Sequence, residues 1–142
     1  MIVRDAKTDD AEVVAELIRL LAASEDDVSP ITTDYIATYL DTNGRHALLA
    51  ERDGSAVGLL TYSFHPNLYH AATSGVVDIV VVRPEARGAG VGDALVAEAM
   101  RRFTAAGCAE ASVSTGLDNE PAKALYRKHG LTEEALLLER HF

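Results

Sequence analysis

Apolar positions recur at two periods along this chain, and each change of period marks a change of element. Ile2 to Arg4 predicts a short first strand. Thr8 or Asp9 then caps a helix whose apolar face is Val14, Leu17, Ile18 and Leu21, the spacing of one helical side. Ser24 to Pro30 (SEDDVSP) is a polar, acidic loop, and a second helix runs from about Thr32 to Leu40 and stops at Asn43-Gly44. A meander follows: a strand over Arg45 to Arg52, a hairpin turn at Asp53-Gly54, and a partner strand over Ala56 to Phe64. His65 to Ser74 reads as a loop or a frayed strand end. Gly75 to Arg83 is almost continuously apolar and rich in valine, as expected of a strand covered on both faces. Pro84 closes it. Beyond lie a helix from about Gly90 to Ala106, a strand over Ala111 to Thr115, a helix from Asn119 to His129 and a last strand over Ala135 to His141. The order β-α-α-β-β-β-α-β-α-β predicts a mixed α/β (α+β) fold with an antiparallel first half and crossover helices in the second.

Composition narrows the setting. With 142 residues, 48% hydrophobic and 25% charged, the expectation is one globular domain over 1–142. No stretch is apolar for long enough to span a bilayer, the amino terminus lacks a secretory pattern, and the one cysteine, Cys108, has no internal disulfide partner. A cytoplasmic location is expected. The net charge of −9 argues against a general nucleic-acid binder and suits a cationic partner, although it also serves solubility. The five histidines are scattered, so no metal site is expected.

Chemistry concentrates where the valine strand turns into a helix: Val82-Arg83-Pro84-Glu85-Ala86-Arg87-Gly88-Ala89-Gly90-Val91-Gly92. Alternate glycines leave the free amides of a helix start open to an anion, and the helix dipole adds to the attraction. Arg83 and Arg87 would add positive charge. A Walker loop needs Gly-Lys-Ser/Thr, but Asp93 follows Gly92, and a dinucleotide fold needs a glycine at 93.

Arg87-Gly88-Ala89-Gly90-Val91-Gly92 resembles the R/Q-x-x-G-x-G/A signature of the GNAT family of N-acetyltransferases. A second stretch, Asn119-Glu120-Pro121-Ala122-Lys123-Ala124-Leu125-Tyr126-Arg127-Lys128-His129-Gly130-Leu131, is similar to the family's N-x-x-A-x-x-L-Y-x-x-x-G-F, with Leu131 for the usual phenylalanine. The resemblance implies a GNAT-like mixed sheet of about 6–7 strands with acyl-coenzyme A between its central strands. It places Arg87, Gly88, Ala89, Gly90, Val91 and Gly92 at the pyrophosphate, and the backbone of Val80, Val81 and Val82 along the pantetheine arm. Asn119 would bind the cofactor or simply cap its helix. Tyr126 would protonate the departing thiolate or simply pack on its helix's buried face.

The attacking amine needs a base. Some relatives use a glutamate at the position that is Ser114 here, and a hydroxyl cannot replace it. Asp78, alone among the valines and alternating in register with Val80 and Val82, is the candidate, as a buried base or a paired carboxylate; a water relay through Glu51 or a histidine is the alternative. The acceptor pocket is expected from the acidic loop, Glu25, Asp26 and Asp27, and from His65, Tyr69 and His70. The implied function is acetyl transfer from acetyl-coenzyme A to a primary amine by direct attack in a ternary complex, the amine being a small molecule. Alternatives are acetylation of a protein amino terminus or lysine, and a non-catalytic acyl-coenzyme A-binding module. The exposed edge of the last strand suggests a possible homodimer, by analogy with the family.

Overall fold

A computed structural model describes residues 1–142. Strands β1 (Ile2–Asp5), β2 (Arg45–Arg52), β3 (Ser55–Asn67), β4 (Ala72–Val82) and β5 (Glu110–Val113) form one sheet in the order β1-β2-β3-β4-β5. The first four run antiparallel to their neighbours, and β5 is parallel to β4. Helices α1 (Ala11–Ser24) and α2 (Thr33–Asp41) come before β2; α3 (Val91–Ala105) crosses from β4 to β5, and α4 (Glu120–Lys128) follows.

Local chemistry explains these boundaries. Thr32 caps α2 by accepting from the Tyr35 amide at 3.1 Å. Asp53 and Gly54 both have positive φ, 53° and 78°, as a two-residue hairpin turn between twisted strands requires. Gly75 sits where a Cβ would lie 2.4 Å from the Phe103 ring, so α3 can pack directly against β4.

The sheet is covered on both faces. Leu48, Leu60, Val77 and Leu95 belong to the core under α3 and α4, with Phe103 wedged edge-on against Tyr62 and Phe64. Val14, Leu17, Leu49, Leu59 and Val81 belong to the core under α1 and α2.

Of the two readings of His65 to Ser74, the strand end holds outside the turn at 68–71, because β3 and β4 keep pairing out to Asn67 and Ala72. One expectation fails. The last strand over Ala135 to His141 is absent, so the sheet has five strands rather than six or seven, and Leu136, Leu137 and Leu138 are exposed. That segment is apolar but leucine-rich, without the β-branched residues that favour strands, and it has no backbone partner in the sheet. The edge proposed for a dimer is therefore not the edge of a last strand.

Candidate active site

The sheet forks between β4 and its edge strand β5. β4 and β5 pair only from Ser74 with Glu110 to Val77 with Val113, whereas β4 continues to Val82. Residues 78–82 thus have one edge with no strand beside it. In an antiparallel strand, main-chain polar groups alternate between the two edges. Arg83 donates its amide to the Val57 carbonyl of β3 at 2.8 Å, so Val81 also faces β3, while Val80 and Val82 face the fork. Arg87 Nε reaches the Val82 carbonyl there at 3.4 Å. Of the three valines expected at the fork, Val81 is the one whose main chain is already directed to β3.

The glycine turn stands at the open end of this fork. Gly88 and Gly90 have φ of +79° and +81°, the left-handed region, and a Cβ at either would meet nothing within 4 Å. The first helical amide of α3 to find a partner is that of Ala94, donating to Gly90 at 3.0 Å. The amides of Gly88, Ala89, Gly90, Val91, Gly92 and Asp93 donate to no acceptor in the protein. Their helix dipole points the same way. Gly92 serves a second purpose: a Cβ there would lie 3.3 Å from Leu125 Cδ2, so it sets how closely α3 approaches α4. Arg87 is exposed at the turn. Arg83 departs from expectation, because its guanidinium is committed elsewhere, to Glu16 of α1 at 2.6 Å and to the Ala56 carbonyl at 2.8 Å.

Tyr126 lies in α4, 8% exposed, its ring in the core that also holds Val91 and Leu95. Its hydroxyl makes no hydrogen bond in the protein, yet no buried side-chain polar atom is left without a partner, so the hydroxyl reaches the surface. Burial raises its pKa, and the phenol keeps its proton through the neutral range. Asn119 caps α4, its Oδ1 accepting from the Ala122 amide at 3.2 Å.

Asp78 is not where simple alternation puts it. The register between β3 and β4 slips at Thr61/Tyr62: Thr61 pairs with Ile79 and Tyr62 with Val77, leaving Asp78 as the extra residue of a bulge. Asp78 consequently faces α1 and α2 beside Ile79, opposite to Val80 and Val82. It sits next to Val77, where pairing with β5 ends. Ser63 Oγ donates to Asp78 Oδ2 at 3.1 Å and lies 2.9 Å from His65 Nε2. Since that serine has one proton to give, His65 Nε2 supplies the hydrogen in the second contact. The carboxyl is accessible, but the protein around it withdraws water and raises its pKa, outweighing the opposing pull of Ser63, Arg45 and His65.

These groups close one end of a cavity of about 330 Å³ under α1 and α2. Its far walls are apolar, with Ile18, Ile31, Ile36, Leu40 and Ile79, and Arg45 lines it beside Ser63. Sequence reasoning passed over Arg45 and Ser63. Counting along β2 would have placed Arg45 on the face of Ala47 and Leu49; nothing local marks Ser63.

The other expected acceptor residues do not line this cavity. Glu25, Asp26 and Asp27 are exposed beyond α1, with Asp27 Oδ1 accepting from the Val28 amide at 2.7 Å. Tyr69 is 92% exposed at the β3–β4 turn, and His70 Nε2 lies 3.2 Å from Glu110 Oε2. That turn is roughly 20 Å along β4 from Asp78 at about 3.3 Å per residue. Glu51 is bound to Arg4 at 2.8 Å, and Ser114 is exposed just past β5. No cluster of three or more His, Cys, Asp or Glu side chains could hold a metal, and no helix is long and apolar enough to cross a membrane.

The sequence model of the Acetyltransferase (GNAT) family matches residues 14–131. The chain is 32% identical over 127 residues to the aminoalkylphosphonate N-acetyltransferase of Salmonella typhimurium, covering 89% of this chain and 82% of that one. It is 41% identical over 85 residues to the mycothiol acetyltransferase of Streptomyces bingchenggensis, covering 59% of this chain and only 26% of that longer protein. Among solved structures, a putative acetyltransferase from Agrobacterium tumefaciens superposes with a TM-score of 0.87 at 24% identity, over 99% of this chain and 100% of that one. An aminoglycoside acetyltransferase from an uncultured soil metagenomic sample, in complex with sisomicin, gives 0.83 at 19% identity, over 99% and 94%. At these identities the structural likeness concerns the fold.

Proposed function

This chain belongs to the acetyltransferase (GNAT) family and is an acyltransferase, and from that premise we propose that it moves an acetyl group from acetyl-coenzyme A to the amine of a small molecule, by direct attack in a ternary complex. The observation that carries the reading is the set of unclaimed amides from Gly88 to Asp93 at the mouth of the fork. Unpaired donors on left-handed glycines, with open space where side chains would be, fit a pyrophosphate. Arg87 adds charge at the same end. The main-chain edge at Val80 and Val82, where only the Val82 carbonyl has a contact, from Arg87, fits an amide-bearing arm, which binds as an added strand would.

Acetyl-coenzyme A supplies an acetyl thioester. The protein's own part is proton handling and placement. Asp78, at the fork's base and with a raised pKa, accepts the proton of the incoming ammonium. Protonated, it can donate to Ser63 Oγ, which accepts from it in place of donating. Tyr126 Oη, free of protein partners, donates a proton to the departing thiolate. A free phenol and a hydrogen-bonded base both favour catalysis over passive binding. A cavity of about 330 Å³ suits a small acceptor, and the relative named for aminoalkylphosphonates acts on a small amine by its name.

Calorimetric titration of acetyl-coenzyme A into wild type and Gly90→Val tests the donor site. The open space at Gly90 spares the variant a clash with the protein, while its φ of +81° forces the turn to change. Micromolar binding lost in the variant is expected, followed by thiol release with an amine panel. Absence of binding in the wild type would sink the reading.

A further inference from the structure

We propose that the acceptor is a zwitterion with an apolar side chain: its amine lies at Asp78, its carboxylate or phosphonate on Arg45, and its side chain against the isoleucines of the cavity. This deepens the acetyl-transfer reading and rests on it. Arg45 opens β2 and pairs with Ser63 of β3, whose hydroxyl donates to Asp78 of β4. The three lie on one face of adjacent strands, with Asp78 two residues along β4 from Val76, the partner of Ser63. At about 4.8 Å between strands and about 3.3 Å per residue, the Arg45 and Asp78 backbones are about 12 Å apart. That leaves room between the two side chains for a molecule carrying opposite charges a few bonds apart.

Arg4, Arg83 and Arg102 hold acidic partners, whereas the Arg45 guanidinium, half-buried in the cavity wall, has neither an ion pair nor a hydrogen bond. An unpaired cation in a partly dry site favours an anion, and it disfavours a polycation by like-charge repulsion. Facing it, Ile18, Ile31, Ile36 and Ile79 offer nothing for a polar substituent to bond. An acceptor with amine, anion and an aliphatic or aromatic side chain satisfies all three surfaces at once.

The test is thiol-release kinetics at saturating acetyl-coenzyme A with phenylalanine, its aminophosphonate analogue and phenethylamine, on wild type, Arg45→Met and Arg45→Lys. Wild type is expected to show KM for the better zwitterion at least tenfold below that for phenethylamine; which zwitterion wins identifies the anion. Arg45→Met should bring that ratio to about one, and Arg45→Lys should restore part of it, with melting temperature reporting that the fold survives. Glycine and aminomethylphosphonate should show KM at least tenfold above their benzyl counterparts. Phenethylamine used as well as the zwitterions, or an Arg45→Met variant that keeps the ratio, overturns the inference. Acetyl-coenzyme A binding separates the two levels. If it binds and anion-free amines are acetylated equally well, only this inference falls; if it does not bind, the function reading falls and takes the inference with it.

Discussion

Replacing Gly58 with alanine should displace the start of α3, although the residue lies in β3, one strand away from the fork. A Cβ there would lie 2.7 Å from Val91 Cγ1 and 3.0 Å from Leu95 Cδ1, where ordinary contact begins at 3.4 Å. Leu95 can rotate its terminal carbons aside. Val91 cannot, since a valine in a helix holds essentially one χ1 rotamer. The helix start must therefore retreat by about 0.7 Å, from 3.4 − 2.7. Overpacking of this kind costs about 1–3 kcal/mol, a drop in melting temperature of roughly 3–10 °C for a chain of this size. The same shift carries the amides of Val91 and Gly92 away from the anion they would hold. Losing one charge-assisted hydrogen bond, about 1.5 kcal/mol or more, raises the Kd for acetyl-coenzyme A by about tenfold. Calorimetry and thermal melting of Gly58→Ala, Val91→Ala and the double variant check this. Alanine at 58 should cost at least ~1 kcal/mol less once Val91 is shortened. Wild-type stability and affinity in Gly58→Ala, or strict additivity in the double variant, would refute the reasoning.

Asp78→Asn should lower kcat by about 10²–10⁴, and wild-type activity should rise with pH on a limb above the ordinary carboxylate range, because partial desolvation of the accessible Asp78 carboxyl raises its pKa; unchanged turnover would remove Asp78 as the base. Tyr126→Phe should reduce turnover by about a hundredfold. Since its hydroxyl has no partner in the protein, stability should stay within about 0.5 kcal/mol. Hydrogen bonds from Arg4 hold the Asp10 carboxyl at about 2, below its ordinary 3.8. A lowered pKa stabilises the fold above the unfolded value and loses that stability as pH falls from 3.8 through about 2. Asp10→Asn should therefore flatten the acid limb of unfolding by about 1 kcal/mol, after allowance for solvent screening; an equally steep limb in the variant would contradict the assignment.

Much of this was legible in the chain itself. Arg45 to Arg52 is a strand end to end, Asp53-Gly54 turns it, and the glycines at 88 and 90 mark the start of α3, because local sterics determine each. What escaped depends on non-local pairing. The bulge at Asp78 arises from the register between β3 and β4, and one extra residue reverses the face that period-two counting assigns. Arg83 looked like an anion ligand until Glu16, 67 residues away, took its charge. Ser63 and Arg45 became part of a site only when three strands aligned. The tail from Ala135 has strand-like apolarity, but apolarity does not create a neighbour with which to pair.

The cluster of free amides at the start of α3 is written in main chain. Its donors are present whatever side chains stand at 89, 91 and 93, provided Gly88 and Gly90 keep their left-handed turns. The cavity under α1 and α2 is the reverse, since its character comes wholly from side chains such as Ile31, Ile36 and Arg45. The turn and the cavity thus differ in how readily substitution can rewrite them. Exchanging residues on α1, α2 and β2 would change what the cavity admits while leaving the donors of the turn as they are. An engineer would leave the turn alone and randomise the helix face opposite Asp78.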